Sequence, residues 1–520
     1  MWPEPLPIGV ETERSMAQIQ FKGKAFVQNH HLLVKYHELV PVKSKSLTDK
    51  VSLRDNLIIH GDNLAALKAL LPMYAGKVKC VYIDPPYNTG NENWRYNDNV
   101  NSPMMQDWLG KVVDREDLTR HDKWLCMMTP RLRLLRELLR DDGAVFISID
   151  YNEEAHLRML MDEIFGEDNY RNTFVVARVK KNIQEREKVR SANFGYDAVL
   201  FYAKSELCLI DPPKRAHTKK SRWHAFDAPG VRPTMEYPLW EQKPPSGRHW
   251  MYEEDRAREM IRRGDLRQNP KTGSIQYLLR ASNYTLLDTD WTDVQEYDSR
   301  WNFPNGEKNV ELLKRIIRML DDEEGAIVLD SFAGSGTTAH AVLALNKEDG
   351  GNRRFILIEC EDYANTITAE RVRRVIKGVP AAKDEALKKG LGGSFSFFEL
   401  GKPIELESIL DGTNMPTYKE LARYVFYTAT GEEFDEKAVD EKKSFIGESR
   451  NYQVYLFYEP DVEKLKNMAL TLDMAKALPP LKKDKRRLVF APTKYLDQDH
   501  LDQFRIDFAQ LPFEIYELTR

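Results

Sequence analysis

Long hydrophobic runs are missing from this 520-residue chain, and no apolar stretch approaches the roughly 20 residues a membrane-spanning helix requires. The opening, MWPEPLPIGVETERSM, has acids and prolines where a secretory signal would have a basic segment and then an apolar one. Cysteine is scarce: Cys80, Cys126, Cys208 and Cys360 are far apart and form no CxxC pair. That argues against a zinc ribbon or a disulfide frame and fits reduced thiols in a cytoplasmic protein. A strong charge of one sign is also lacking. The net charge of −4 excludes a globally basic nucleic-acid binder, so any such partner must be met by a local patch. Internal repeats and low-complexity tracts are absent as well.

What is present is an alternation of short apolar runs with helical periodicity, in a chain 42% hydrophobic and 30% charged. After a polar lead-in over 1–50, LIIHGDN reads as strand and turn, LAALKALLPMY as helix, and VKCVYID as a buried strand ending at Asp84. WLCMMTPRLRLLRELLRDDG has helical spacing with Gly143 placed to stop it, and AVFISID and YDAVLFYAK read as further strands. Strands alternating with helices predict a mostly parallel sheet covered on both faces. Over 206–300 the texture changes to Pro, Gly, Arg, Trp and Tyr, as in a module inserted between a first core half (51–205) and a second (301–380). Beyond GLGGSFSF, residues 390–520 read as a separate small α/β unit, with VEKLKNMALTLDMAKAL as one helix. Its EPDVEKLK acids are too close together for a nuclease motif, so an interaction domain is expected.

Two stretches carry chemistry. IDPPYNTG closes a strand with the carboxylate of Asp84, the stiff pair Pro85-Pro86 and the ring of Tyr87. VLDSFAGSGTTAHAV runs from a strand ending in Asp330 through Phe332, Gly334 and Gly336 into a helix beginning near Thr337. Glycines let a ligand approach the backbone, and a helix N-terminus offers free N–H groups. About thirty residues on, RRFILIE ends in Glu359, where a Rossmann-like site places the acid that holds a ribose. Thr337-Thr338 stand where a Walker A loop needs Lys, which disfavours an ATP-driven motor. Asp62 and Asn63 open a helix, where an N-cap is the plain alternative to ligand contact.

Together, DPPY and FAGSGT resemble the amino-methylating DNA methyltransferases, and their order resembles the β group. GDNLAALKALL, GAVFISIDYNEEAHLRMLMDEIFGEDNY and FPNGEKNVELLKRII strengthen the resemblance, most closely to Mod subunits of type III restriction-modification systems. It covers about Leu57–Lys204 and Trp301–Lys377. It implies an α/β, Rossmann-like S-adenosylmethionine-dependent core in permuted order, with an inserted DNA-recognition domain and a small C-terminal α/β domain. It implies Asp84 and the Pro85 carbonyl as acceptors for the amino hydrogens of a flipped adenine, with Tyr87 stacked on the base. Asp62, Asn63, Lys308, Asp330, Phe332, Gly334, Gly336, Thr337 and Glu359 would serve the cofactor. The family usually has Lys-Pro where Lys308 is followed by Asn309, which leaves the role of Lys308 open.

Methylation of cytosine N4 or of RNA, and a non-catalytic specificity subunit, are the alternatives. Ser in place of Asp84 would be more usual for N4, which favours adenine N6. Between Arg171 and Trp223 there are thirteen Lys/Arg against five Asp/Glu, mostly in RVKKNIQEREKVR and PPKRAHTKKSRWH. Phosphates need such a surface, and Trp240, Trp250, Tyr252, Arg256, Arg262 and Arg263 add groups suited to base edges. Double-stranded DNA, a second copy of the chain and a restriction subunit are the expected partners.

Overall fold

The computed structural model describes residues 18–88, 119–178, 192, 194–295, 297–298 (backbone only for 297–298), 307–320, 325–403, 415–432, 434–461, 464–465 and 467–511. Most of RVKKNIQEREKVR, the Thr89-Gly90 end of IDPPYNTG and the expected last strand FEIYEL lie outside them. The described residues contain no helix long and apolar enough to cross a membrane.

Contacts divide the chain into two compact units, Pro212–Asp288 and the remainder. The larger unit is built on one ten-stranded sheet. Its strands are β1 (His37–Pro41), β2 (Leu57–His60), β3 (Val78–Ile83), β4 (Leu139–Ile149), β5 (Tyr170–Ala177), β6 (Tyr196–Ala203), β7 (Asp290–Gln295), β8 (Ile327–Asp330), β9 (Arg354–Glu359) and β10 (Ser396–Pro403). They lie in the order β1-β10-β2-β9-β8-β3-β4-β6-β5-β7. The central strands β10, β2, β9, β8, β3 and β4 are parallel, and β6 enters antiparallel between β4 and β5.

Continuous apolar runs form the middle strands because both faces of the sheet are covered. Val81, Ile83 and Leu329 belong to one core cluster, while Cys80, Tyr82 and Val328 belong to the other, as strand alternation requires. The helices are α1 (Asn63–Tyr74), α2 (Arg120–Leu138), α3 (Glu154–Phe165), α4 (Val310–Met319), α5 (Thr337–Asp349) and α6 (Glu370–Lys377). Helix α2 starts at a capping box, Thr119 with Asp122. It leads from β3 to β4 on one side, whereas α5 leads from β8 to β9 on the other. Strands β3 and β8 are parallel neighbours, with Val328 opposite Cys80, and from this pair the chain winds outward in opposite directions, β3 to β4 and β8 to β9. Ligands bind outside the carboxyl ends of strands at such a switch point. Asp84 and Asp330 both stand there, although 246 positions separate them.

Several boundaries differ from the sequence reading. Gly143 does not stop α2; it lies inside β4, where an added Cβ would be 2.9 Å from the Val78 carbonyl oxygen. Helix α2 ends earlier because Leu139 is already extended (ψ 140°). The insertion is narrower than 206–300, since Cys208, Trp291 and Val294 are buried in the main core. Ser396–Pro403 is a central strand, because Phe397 and Phe398 fill the two core faces. The C-terminal residues form their own four-stranded sheet of β11 (Phe445–Glu448), β12 (Tyr452–Leu456), β13 (Arg486–Ala491) and β14 (Ile506–Gln510). That sheet is not set apart: Val454, Leu456, Leu488 and Phe490 join the main core, bridged by the helix Tyr418–Thr430. Of the single long helix expected before β13, the described residues show Leu472–Ala477 and a helical Lys464-Leu465, with non-helical residues 467–470 between them.

Candidate active site

The tip after β3 is held from below. The Trp124 indole Nε1 donates to the Pro86 carbonyl at 2.7 Å, and Trp124 is fully buried. The next residue after Tyr87, Asn88, is left-handed (φ 55°), a conformation Asn tolerates. Its Nδ2 donates to the Arg120 carbonyl at 3.1 Å and to the carboxylate of Glu153. Glu153 is wholly buried and also pairs with His121 Nδ1 (2.7 Å) and His156 Nδ1 (2.8 Å). His121, Glu153 and His156 are the group of described residues that could hold a metal ion, with ligand atoms within 4.8 Å. Through its pairings Glu153 ties the Asn88 turn to His121 of α2 and His156 of α3.

Lys308 lies on the opposite side of the tip. Its ammonium is 3.1 Å from Asp84 Oδ1 and 2.5 Å from the Tyr87 hydroxyl. The resemblance set Lys308 among the cofactor candidates with its role open; the structure brings its ammonium to Asp84 and Tyr87.

The glycine loop after β8 is bound to its surroundings at almost every step. Asp330 accepts from the Phe332 amide (3.0 Å) and the Thr338 hydroxyl (2.5 Å), tying strand end to helix start. The Gly334 and Glu361 amides donate to Glu359 at 2.7 and 3.0 Å, and Thr368 Oγ1 donates to the Gly334 carbonyl at 2.6 Å. Gly334 and Gly336 have φ of 51° and 83°. A Cβ on Gly336 would sit 3.2 Å from the Thr368 carbonyl oxygen, so glycine there serves close packing against the following helix. Phe332 is buried in the core and Thr337 is buried beside it.

Asp62 caps α1 through the Ala65 amide (3.0 Å) and also meets Arg131 at 3.3 Å. Asn63 donates to the Ser331 carbonyl (3.0 Å) and accepts from Arg131 Nε (2.6 Å). Asp62 thus caps the helix while its side chain keeps 41% of its surface exposed. Arg131, Trp124, Glu153 and Arg371 were not singled out from the sequence. For Arg131 and Trp124 a signal existed: a cation and an indole on the apolar stripe of a helix, where each needs a polar partner.

Burial pushes the Asp330 carboxyl up to about 7, aided by the nearby Asp84 and opposed by its two hydrogen bonds. Burial likewise pushes Glu359 up to about 7. An acid whose pKa is higher folded than unfolded binds extra protons in the fold. Its stabilising effect is complete below its unfolded pKa, about 4, and is lost as pH rises through 7. Asp330→Asn should thus gain in Tm relative to the unmodified protein as pH rises from 5 to 8. Scanning calorimetry without cofactor checks this; a Tm difference independent of pH would refute it.

The Asp84–Tyr87 tip and the glycine loop lie within one stretch of family similarity. A model described as DNA methylase matches residues 78–370, more than half of the chain. The chain belongs to the DNA methylase family. The methylase is 30% identical over 453 residues to the Mod subunit of the type III restriction-modification enzyme StyLTI of Salmonella typhimurium, covering 75% of this chain and 67% of that one. It is 31% identical over 353 residues to the type II methyltransferase M.KpnI of Klebsiella pneumoniae, covering 58% of this chain and 80% of that one. Among solved structures, a Thermus thermophilus DNA modification methylase complexed with S-adenosyl-L-methionine is 16% identical with a TM-score of 0.31, over 66% of this chain and 99% of that one.

Proposed function

We propose that this methylase transfers the methyl group of S-adenosylmethionine to adenine N6 in double-stranded DNA, within a restriction-modification system. The observation that carries the reading is the meeting of Asp84–Tyr87 and the Gly334–Thr337 loop at the ends of two adjacent parallel strands. The loop fits the cofactor. An added Cβ at Gly334 would meet only the Phe332 carbonyl, at 3.9 Å, so a ligand can approach its backbone. Ser331 Oγ is buried with no hydrogen-bond partner among the described residues, as a ligand-facing hydroxyl would be. When bound, S-adenosylmethionine supplies an electrophilic methyl group.

The protein's own part is to make a poor nucleophile usable. The lone pair of an exocyclic amino group is delocalised into the ring. Asp84 and the Pro85 carbonyl accept its two N–H hydrogens, which favours a geometry with the lone pair directed out of that conjugation. Their positions are fixed in advance by the prolines and by the Trp124 bond, as electrostatic stabilisation requires. Lys308 holds the Asp84 carboxylate and Tyr87 hydroxyl together, leaving the Tyr87 ring to stack on the flipped base. The cofactor is held by the loop Phe332–Thr337, with Asp62, Asn63, Asp330 and Glu359 shaping its walls.

Incubation of the full chain with methyl-labelled S-adenosylmethionine and unmethylated genomic DNA, followed by nucleoside analysis, tests the reading. Label in N6-methyladenine supports it; label in N4-methylcytosine keeps the enzyme but changes the base.

In the inserted unit, Lys214–Lys219 pairs antiparallel with Ser282–Leu286 as a ribbon exposed along its basic strand. Arg267 lies over the Trp223 ring at 3.9 Å and Arg256 over Tyr252 at 4.0 Å. Such a surface suits phosphates and bases, and supports DNA as substrate. Lys219→Glu/Lys220→Glu should weaken DNA binding most at low salt and flatten the slope of log K against log salt by about 1–2. An unchanged slope would remove these lysines from the interface. The Mod-subunit relative supports a nuclease subunit as a protein partner, and sedimentation of the purified chain tests the proposed self-association.

A further inference from the structure

We infer that Arg371 is a positioning residue that couples occupancy of the glycine loop to the setting of Lys308 on the catalytic tip. The inference rests on the methyl-transfer reading above and extends it. Arg371 stands in the first turn of α6, only 4% exposed. Its Nη1 donates to Ser335 Oγ at 2.6 Å and to Thr337 Oγ1 at 2.8 Å, both in the loop that receives the cofactor. The same nitrogen lies 3.1 Å from Glu307 Oε2, and Glu307 is only 2% exposed. Glu307 and Lys308 form a short strand paired with Tyr297–Asp298.

Successive side chains of a strand point to opposite faces. Glu307 thus reaches back to Arg371 and the glycine loop, while Lys308 reaches forward to Asp84 and Tyr87. One guanidinium nitrogen thus serves both loop hydroxyls and Glu307, so a change at the hydroxyls is passed to Glu307 as a change of position. Both groups are buried, so their pairing is held away from water and strand and loop move together. The consequence is that cofactor in the loop favours one setting of the Lys308 ammonium, and with it the arrangement that receives the flipped base. By linkage, cofactor and DNA then strengthen each other's binding.

The experiment measures the affinity of the full chain for a methylatable DNA duplex with and without S-adenosylhomocysteine, alongside methyl transfer. Binding by the unmodified protein should tighten about tenfold with S-adenosylhomocysteine. Two variants are compared. Arg371→Lys keeps the charge but loses the guanidinium nitrogen that spans loop and strand; Glu307→Gln/Arg371→Met removes both charges, so that no buried ion is stranded. In each the tightening should fall to within about twofold of none, while calorimetric affinity for S-adenosylhomocysteine alone changes by less than about threefold. The value of kcat should drop, and KM for the cofactor, read with DNA present, should rise by about the lost tenfold. Should the double variant not fold, Glu307→Gln alone carries the same expectation. Full tightening in a folded variant, or none in the unmodified protein, overturns the coupling. An unmodified protein that puts no methyl group on DNA overturns the methyl-transfer reading and the coupling with it; methylation with unaltered coupling in the variants overturns only the role of Arg371.

Discussion

Asp84→Ala is expected to lower kcat for methyl transfer by about 10³-fold while cofactor affinity stays within about threefold. The loss is large because the carboxylate acts where the amino group changes geometry, and water admitted by the smaller side chain is not preorganised. Cofactor affinity is spared because the loop Phe332–Thr337 is tied by hydrogen bonds to Asp330, Glu359 and Thr368. The substitution also strips the Lys308 ammonium of one partner, so Asp84→Asn, which keeps the shape, is the necessary companion. Single-turnover transfer and calorimetric cofactor titration separate the two quantities. An alanine variant that retains a tenth of the rate would remove Asp84 from the chemistry.

Trp124 gives the second large effect, and two substitutions divide it. Trp124→Ala should destabilise the fold by about 3–5 kcal/mol, since it empties a fully buried site beneath the tip. Trp124→Phe keeps most of the packing and removes the bond to the Pro86 carbonyl, at a cost of about 1 kcal/mol. Its rate should nevertheless fall by about 10-fold or more, because displacing the tip by a fraction of an ångström spoils its alignment. Denaturant melts paired with transfer rates check both. If Trp124→Phe lost stability but no activity, the indole bond would be support for the fold alone.

The sequence displayed the parts of this site far better than their connections. Asp84–Tyr87 and Gly334–Gly336 are legible because proline and glycine impose backbone geometry within a few residues. Strands β3, β4, β6, β8 and β9 are legible because burial on both faces demands continuous apolar runs. Strand β7 was hidden: DWTDVQ buries only Trp291 and Val294 and reads as a polar loop. Strand β10 was hidden behind GLGG, which resembles a linker. The connections were less visible still. Arg131 meets Asn63 across 68 positions and Arg371 meets Glu307 across 64, and neither separation obeys a local periodicity. Trp124 and Asn88 seek backbone carbonyls, which any residue type supplies.

The inserted unit leaves and re-enters the chain by two strands already paired with one another: Lys214 lies opposite Leu286, and the Leu287 amide bonds the Pro213 carbonyl at 2.8 Å. Its ends are therefore closed before either meets the ten-stranded sheet. A segment bounded in this way can be exchanged as a cassette, with neither the sheet nor the pocket rebuilt. On the proposed reading of this unit as the surface that meets DNA, which DNA is marked and how it is marked can then evolve along separate lines.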